Sequence, residues 1–86
     1  MNNVIMRLFT LDGGGYKPLV SEPLVAGTVV VSCPPANAGP VYFKGDDGSD
    51  VPWTPSEWHE FKGVDLNGIL VKGAAGDTVT LVGGTW

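Results

Sequence analysis

The sequence is poor in the residues that build disulfide-bonded and metal-bound scaffolds. Its 86 residues include one cysteine and one histidine, so no disulfide can form within the chain and a zinc site would lack ligands. Basic residues are also few, with five lysines and arginines against nine acidic residues and a net charge of −4. This charge has the wrong sign for binding a phosphate backbone, and we expect no nucleic-acid partner.

Long apolar runs are missing from the sequence as well. No stretch approaches the roughly 20 consecutive apolar residues that a membrane-spanning helix needs, and the opening MNNVIMRLF lacks the features of a signal peptide. We therefore expect folding in the reducing cytoplasm and no membrane partner. Thirteen glycines and seven prolines break helices and supply turns, which disfavours a helical bundle.

Apolar and polar residues alternate along most of the chain, which is typical of short β-strands. Strands are predicted at 4–9, 27–32, 41–44, 56–61, 69–72 and 78–82, with proline-limited extended segments at 17–25 and 51–55 and a turn at 64–68. The run 27–32 is apolar on both faces and predicts a central strand covered on two sides. We predict one domain spanning 1–86, an all-β antiparallel sandwich or jelly-roll-like barrel of about seven short strands, with 1–9 as an N-terminal arm or an edge strand.

No combination of side chains predicts catalysis. Cys33 ends an apolar strand directly before two prolines, which favours a buried, inert thiol over a nucleophile activated by His59. Glu57 and Glu60 are three residues apart and would lie on opposite faces of a strand, so they form no acid–base pair. We expect neither an enzyme nor a cofactor.

Two loops contain residues that bind ions in other proteins. Asp46, Asp47 and Asp50 could offer oxygens to calcium, but the EF-hand spacing is absent and a solvated hairpin loop is the simpler interpretation. The triple glycine at 13–15 lacks the lysine and serine of a phosphate-binding loop and predicts a tight turn or hinge. No metal site is predicted, and ion binding by the acidic loop stays an open alternative.

The aromatic residues are numerous for a core of this size. Trp53 lies between Pro52 and Pro55, in a stiff segment that can present an indole to a partner at low entropic cost. Each tryptophan either closes an end of the sandwich or contacts a partner, and both interpretations stay open. The predicted interface residues are Met6, Phe9, Trp53, Trp58 and Trp86.

Three stretches from Ser32 onward join glycine or aspartate turns to apolar strands. They are PANAGPVY at 35–42, VDLNGILVKG at 64–73 and GDTVTLV at 76–82. Together they resemble small structural proteins of tailed bacteriophages, in which a turn and strand of this type precede two further strands. The chain differs from that pattern at 53–58, where WTPSEW replaces a glycine-containing stretch, and in the aspartates of its hairpin loop.

The resemblance implies a virion component with an all-β fold. We expect a capsid decoration or cement protein on the outside of the head, bound to the major capsid protein. We also expect self-association, because so short a chain buries a limited core, and a trimer at local three-fold positions is favoured. The alternatives are a neck or tail component and, from another class, a carbohydrate-binding host-attachment module with Trp53 or Trp58 as its sugar platform. Two coplanar exposed aromatic rings would favour sugar binding, whereas an exposed apolar patch would favour assembly.

Overall fold

In the computed structural model, which describes residues 3–85, the chain folds into two antiparallel β-sheets of four strands each. The strands are β1 (Val4–Thr10), β2 (Lys17–Pro18), β3 (Val25–Ser32), β4 (Val41–Lys44), β5 (Asp50–Trp53), β6 (Trp58–Asp65), β7 (Leu70–Lys72) and β8 (Thr78–Gly84). A single 3₁₀ turn, Leu66–Gly68, connects β6 to β7. Residues 3–85 contain no helix that is long and apolar enough to cross a membrane.

The strand order is β1-β8-β3-β6 in the first sheet and β2-β7-β4-β5 in the second. This arrangement confirms the predicted all-β sandwich. The structure has eight strands where the sequence predicts about seven, because both proline-limited segments pair with a neighbour and form the short strands β2 and β5. Strand β6 also runs further than predicted, since Val64 and Asp65 pair with β3 and only Leu66–Gly68 form the turn.

The predicted central strand is confirmed in position and corrected in environment. Strand β3 lies between β8 and β6, and its inner residues Val29 and Val31 are fully buried. Its outer residues Thr28 and Val30 are only half-buried, because no element among residues 3–85 covers the outer face of this sheet. The strand is therefore covered on one side and not on two.

The core lies between the inner faces of the two sheets. Its main members are Val29, Val31, Val79 and Leu81 from the first sheet and Val41, Phe43, Trp53 and Val71 from the second. Burial of these side chains is the main force that holds the sheets together, at roughly 25 cal/mol for each Å² of apolar surface removed from water. Cys33 is also fully buried, as predicted.

Asn37 fastens the loop between β3 and β4 to the start of β8. Its carboxamide oxygen accepts a hydrogen bond from the Thr78 backbone N–H at 2.8 Å, and its Nδ2 donates to the Thr78 carbonyl at 2.8 Å. Nδ2 also lies 3.2 Å from the Cys33 sulfur. Pairing between β3 and β8 ends at Ser32 and Thr80, and the Asn37 side chain makes the next two hydrogen bonds in place of a β3 residue. This is the structural role of the asparagine in the PANAGP turn.

Replacing Asn37 with alanine should lower the free energy of unfolding by about 2 kcal/mol, because it leaves two backbone groups of Thr78 without partners. Urea unfolding followed by circular dichroism measures the change. The control is Asn3→Ala, which removes an exposed carboxamide that makes no hydrogen bond to residues 3–85. Equal stability of the two variants would contradict the role assigned to Asn37.

Candidate functional site

Four exposed apolar side chains are adjacent on the outer face of the first sheet. Val4, Met6 and Leu8 of β1 are 67%, 71% and 64% exposed, and Val82 of β8 is 52% exposed. Val82 lies directly opposite Met6 in the β1–β8 register. Single exposed apolar residues are normal on protein surfaces, but contiguous groups mark interaction sites. We call Val4, Met6, Leu8 and Val82 the apolar face.

The pleat of β1 explains why these residues point outward together. Ile5 is buried in the core, and successive residues of a strand point to opposite faces. Phe9 shares the inner side with Ile5 and is half-buried against the core. The structure therefore separates two predicted interface residues: Met6 belongs to the apolar face and Phe9 lies on the opposite side of the same strand.

The outer face changes from apolar to charged across the sheet. One row of paired residues runs from Met6 through Val82 and Val30 to Glu60 on β6. The Glu60 carboxylate lies 3.7 Å from the Lys62 ammonium on the same strand. The apolar face thus covers the β1–β8 side and is bordered on the β6 side by an exposed ion pair, an arrangement typical of an interface with a polar rim.

Trp58 is exposed but stands apart from the apolar face. It is 60% exposed and lies on β6, at the far end of the row that begins with Leu8. The two residues between them in that row, Thr80 and Ser32, join their hydroxyl groups in a hydrogen bond. Three strand spacings of about 4.8 Å separate Leu8 from Trp58, so the structure does not bring Trp58 into contact with Met6.

The predicted role of Trp53 as a presented aromatic is wrong. Trp53 is 5% exposed. The centroid of its ring lies 3.9 Å from that of Phe43, 4.6 Å from that of His59 and 6.3 Å from that of Phe61. The flanking prolines favour an irregular segment, but residues 50–53 form β5, which pairs with β4. Trp53 is paired with the buried Val41, and its side chain points into the core in the same way. Trp53 is a core residue. Trp86, the remaining predicted interface residue, lies outside the described residues.

His59 and Glu57 stabilise the bend that precedes β6. The Nε2 atom of His59 lies 2.7 Å from the Glu57 carboxylate, which also accepts a hydrogen bond from the Thr54 N–H at 3.1 Å. The contact with His59, followed by the backbone hydrogen bond, lowers the pKa of Glu57 below its ordinary value. Cys33 is buried in the core, so its sulfur is not exposed at the surface near His59.

The outer face of the second sheet is polar, in contrast to the first. The Tyr16 hydroxyl donates a hydrogen bond to Asp50, and the Lys72 ammonium lies 3.5 Å from the Asp50 carboxylate and 4.7 Å from the Tyr16 ring centroid. Loss of hydration and the Asp50 contact raise the pKa of Tyr16 to about 12. The same hydrogen bond lowers the pKa of Asp50.

The carboxylates of the acidic loop point to separate partners. Asp50 is held by Tyr16 and Lys72, whereas Asp47 accepts hydrogen bonds from the Ser49 N–H at 3.0 Å and the Ser49 hydroxyl at 2.6 Å. These contacts with Ser49 lower the pKa of Asp47. Within residues 3–85, no group of three or more histidine, cysteine, aspartate or glutamate side chains is arranged to hold a metal ion.

An open cleft of about 350 Å³ lies beside the glycine-rich turn. Gly13, Gly14, Tyr42 and Lys72 line it, together with Asp77. One Asp77 carboxylate oxygen accepts a hydrogen bond from the Ala38 N–H at 3.0 Å, and the other is enclosed without a hydrogen-bond partner among residues 3–85. Tyr42, Lys72 and Asp77 are thus the charged or hydroxyl-bearing side chains at this cleft.

The apolar face is the strongest candidate site that this geometry offers. Sequence periodicity places Val4, Met6 and Leu8 on one side of β1, but it does not reveal that this side points to solvent. Val82 was missed because its position beside Met6 depends on the pairing of β1 with β8, the first and last strands. Comparison with protein-family models, with curated proteins and with solved structures finds no match to the chain.

Proposed function

We propose that this protein is a non-enzymatic structural component of a tailed-phage virion, a decoration protein that docks on the outside of the head. The observation that carries the proposal is the apolar face on β1 and β8, which is exposed on a sandwich whose other outer face is charged. The resemblance of residues from Ser32 onward to phage structural proteins supports the virion setting. The partner at the apolar face is then the major capsid protein.

Docking of this kind works mechanically. Covering the exposed part of each side chain of the apolar face contributes on the order of 1 kcal/mol, because apolar surface leaves water. A copy that contacts two neighbouring capsid subunits adds this free energy to the contact between them and opposes their separation under internal pressure. Many copies on one symmetric shell raise the effective concentration of each contact, so a modest affinity per copy gives strong retention.

The burial of Trp53 weighs against the carbohydrate-binding alternative. Sugar platforms need exposed aromatic rings, and of the two tryptophans within residues 3–85 only Trp58 is exposed. Its neighbours in the same row of the sheet are Ser32, Thr80 and the apolar Leu8, and none of them supplies a second aromatic ring. Adjacent apolar side chains are a better match to protein assembly. A neck or tail position remains the alternative within the virion.

The test combines copy number with a charge placed in the apolar face. Quantitative mass spectrometry of phage particles from the source strain should find copies in a fixed ratio to the major capsid protein. In cosedimentation with heads that lack the chain, Val82→Lys should weaken binding at least about tenfold, because docking would bury an unpaired ammonium. The matched control is Val25→Lys, which changes a valine of similar exposure, 61% against 52%, two strands away from β1.

The outcomes separate the alternatives. A few copies per particle would place the protein in the neck or tail, and absence from particles would refute the virion proposal. Equal binding of the Val82 and Val25 variants to heads would show that the apolar face is not the docking surface. Circular dichroism and thermal unfolding of both variants establish that a loss of binding does not result from unfolding.

A further inference from the structure

The sandwich has four edge strands among residues 3–85, and three of them are protected against pairing. Strand β2 has only two residues, one of which is Pro18, and β5 contains Pro52. Strand β6 carries the exposed charges of Glu60 and Lys62 and a positive φ of 62° at Gly63. Prolines, charges and kinks of this kind prevent a strand edge from pairing with another chain.

Strand β1 has none of these protections on its open side. It is seven residues long, contains no proline and carries Arg7 as its only charge. Arg7 lies on the inner side of the strand with Ile5, away from the apolar face. The segment 3–11 contains no acidic residue, so the negative charge of the protein lies elsewhere.

The hydrogen bonds at both ends of β1 establish which backbone groups are unpaired. The Thr85 N–H donates to the Asn3 carbonyl at 3.0 Å, and the Leu11 N–H donates to the Asp77 carbonyl at 2.8 Å. Because alternate residues of an antiparallel strand bond to the same neighbour, the odd-numbered residues of β1 bond to β8. The N–H and C=O groups of Val4, Met6 and Leu8 therefore point to the open edge.

We propose that β1 pairs antiparallel with β1 of a second copy of this chain, about a twofold axis at Met6. Each Met6 then exchanges two backbone hydrogen bonds with the other Met6, and Val4 pairs with Leu8 of the second copy. The two first sheets join into one eight-stranded sheet. Antiparallel edge pairing closes with two copies, so this assembly is a dimer and replaces the trimer that the sequence favours.

Charge selects the register of this pairing. A twofold axis at Arg7 would place two guanidinium groups directly opposite each other, which destabilises strand pairing. The axis at Met6 instead places each Arg7 opposite Ile5 of the second copy. The exposed apolar side chains also become neighbours across the new contact, since Val4, Met6 and Leu8 carry both the unpaired backbone groups and the apolar face.

The dimer doubles the surface available for docking. At the new contact, Met6 of one copy lies beside Met6 of the other, and each Met6 has Val82 of its own copy on its other side. The two apolar faces therefore form a single patch. This last step rests on the proposed function, whereas the pairing itself does not require a capsid. A dimer with two apolar faces would bridge neighbouring capsid subunits, and its failure to bind heads would leave the edge pairing intact.

The test measures the mass of the purified chain in solution. Sedimentation equilibrium should show a monomer–dimer equilibrium, and Met6→Pro should remain monomeric at every concentration at which the wild type is a dimer. The Met6 N–H points away from β8, so proline removes no hydrogen bond within one copy. Val82→Lys is the control, because it changes the apolar face one strand away from the edge and should stay dimeric.

Cysteine cross-linking tests the register without relying on the proline variant. Under mild oxidation Met6→Cys should form a disulfide-linked dimer, because paired Cα atoms about 5.5 Å apart are within disulfide range. Arg7→Cys should not, since a diagonal pair lies beyond about 7 Å. Cys33 is buried and does not compete. A monomeric or trimeric wild type, a dimeric Met6→Pro variant, or cross-linking at Arg7 in preference to Met6 would each overturn the proposal.

Discussion

Trp53→Ala is expected to lower the free energy of unfolding by about 3–5 kcal/mol, the usual cost of removing a large aromatic side chain from a packed core. Trp53 is 5% exposed and contacts Phe43 and His59, and its ring is stacked parallel to that of Phe61. Phe43 lies on the second sheet and Phe61 on the first, so the indole joins the two sheets. Urea unfolding followed by circular dichroism measures the loss.

The effect should be large enough to unfold much of the protein. Single cores in chains slightly shorter than this one supply about 3–5 kcal/mol of net stability, which is similar to the expected loss. Trp58→Ala is the matched control, because Trp58 is 60% exposed and surface substitutions usually change stability by less than about 0.5 kcal/mol. A Trp53 variant as stable as the Trp58 variant would contradict the assignment of Trp53 to the core.

Because Trp53 belongs to the core, its substitution does not test the proposed docking. A Trp53 variant that fails to bind phage heads would fail because it is unfolded, and it would say nothing about docking. The proposed docking is tested by substitutions on the apolar face, whose side chains are exposed and lie outside the core. Val82→Lys is the clearest of these, since Val82 is 52% exposed and its strand partners on both sides remain unchanged.

The strands of this protein follow from local patterns, but the side that each strand buries follows from them only in part. The alternation in 78–82 predicts both β8 and its inward residues Val79 and Leu81, and the structure confirms them. In β1 the same alternation groups Val4, Met6 and Leu8, the more apolar side, yet Ile5 enters the core. The pairing of β1 with the distant β8 decides which side is inward, and periodicity contains no information about that pairing.

At Trp53 the local sequence predicts an exposed aromatic side chain, and the structure buries it. Two prolines around it indicate an irregular segment, and prolines are indeed excluded from central strands. Pro52 is tolerated within β5 because β5 is an edge strand, and Pro55 lies in the turn that follows it. Trp53, the last residue of β5, still packs inward. The disagreement at β1 is more informative, because a strand that exposes its more apolar side breaks a rule that folded chains generally obey. Such exceptions concentrate at functional sites, which is why the apolar face carries the proposed function.

Gly83→Ala is the second substitution with a large expected effect. Gly83 of β8 is paired on one side with Ile5 of β1 and on the other with Val29 of β3. A Cβ atom at this position would overlap the Thr28 carbonyl oxygen and lie 2.6 Å from the Val29 Cα. Both are backbone atoms that cannot move without displacing β3, so we expect a loss of at least about 3 kcal/mol, the upper range for overpacking.

The control for this substitution is Gly15→Ala. A Cβ atom there has no neighbour within 4 Å, and Gly15 is not among the glycines with a positive φ. Alanine at that position should therefore leave stability unchanged or raise it by about 0.4–1 kcal/mol, through the smaller entropy of the unfolded chain. Chemical unfolding of the two variants in parallel provides the comparison, and similar midpoints would contradict the close approach of β8 to β3.

The position of Gly83 connects this stability test to the apolar face. Val82 precedes Gly83 on β8, and among the strands of residues 3–85 β1 is paired with β8 alone. A displacement of β8 from β3 would thus carry β1 away as well and disperse Val4, Met6 and Leu8. The close approach that only glycine permits is what allows one sheet to bury Ile5 on its inner side while it holds Met6 and Val82 together on its outer side.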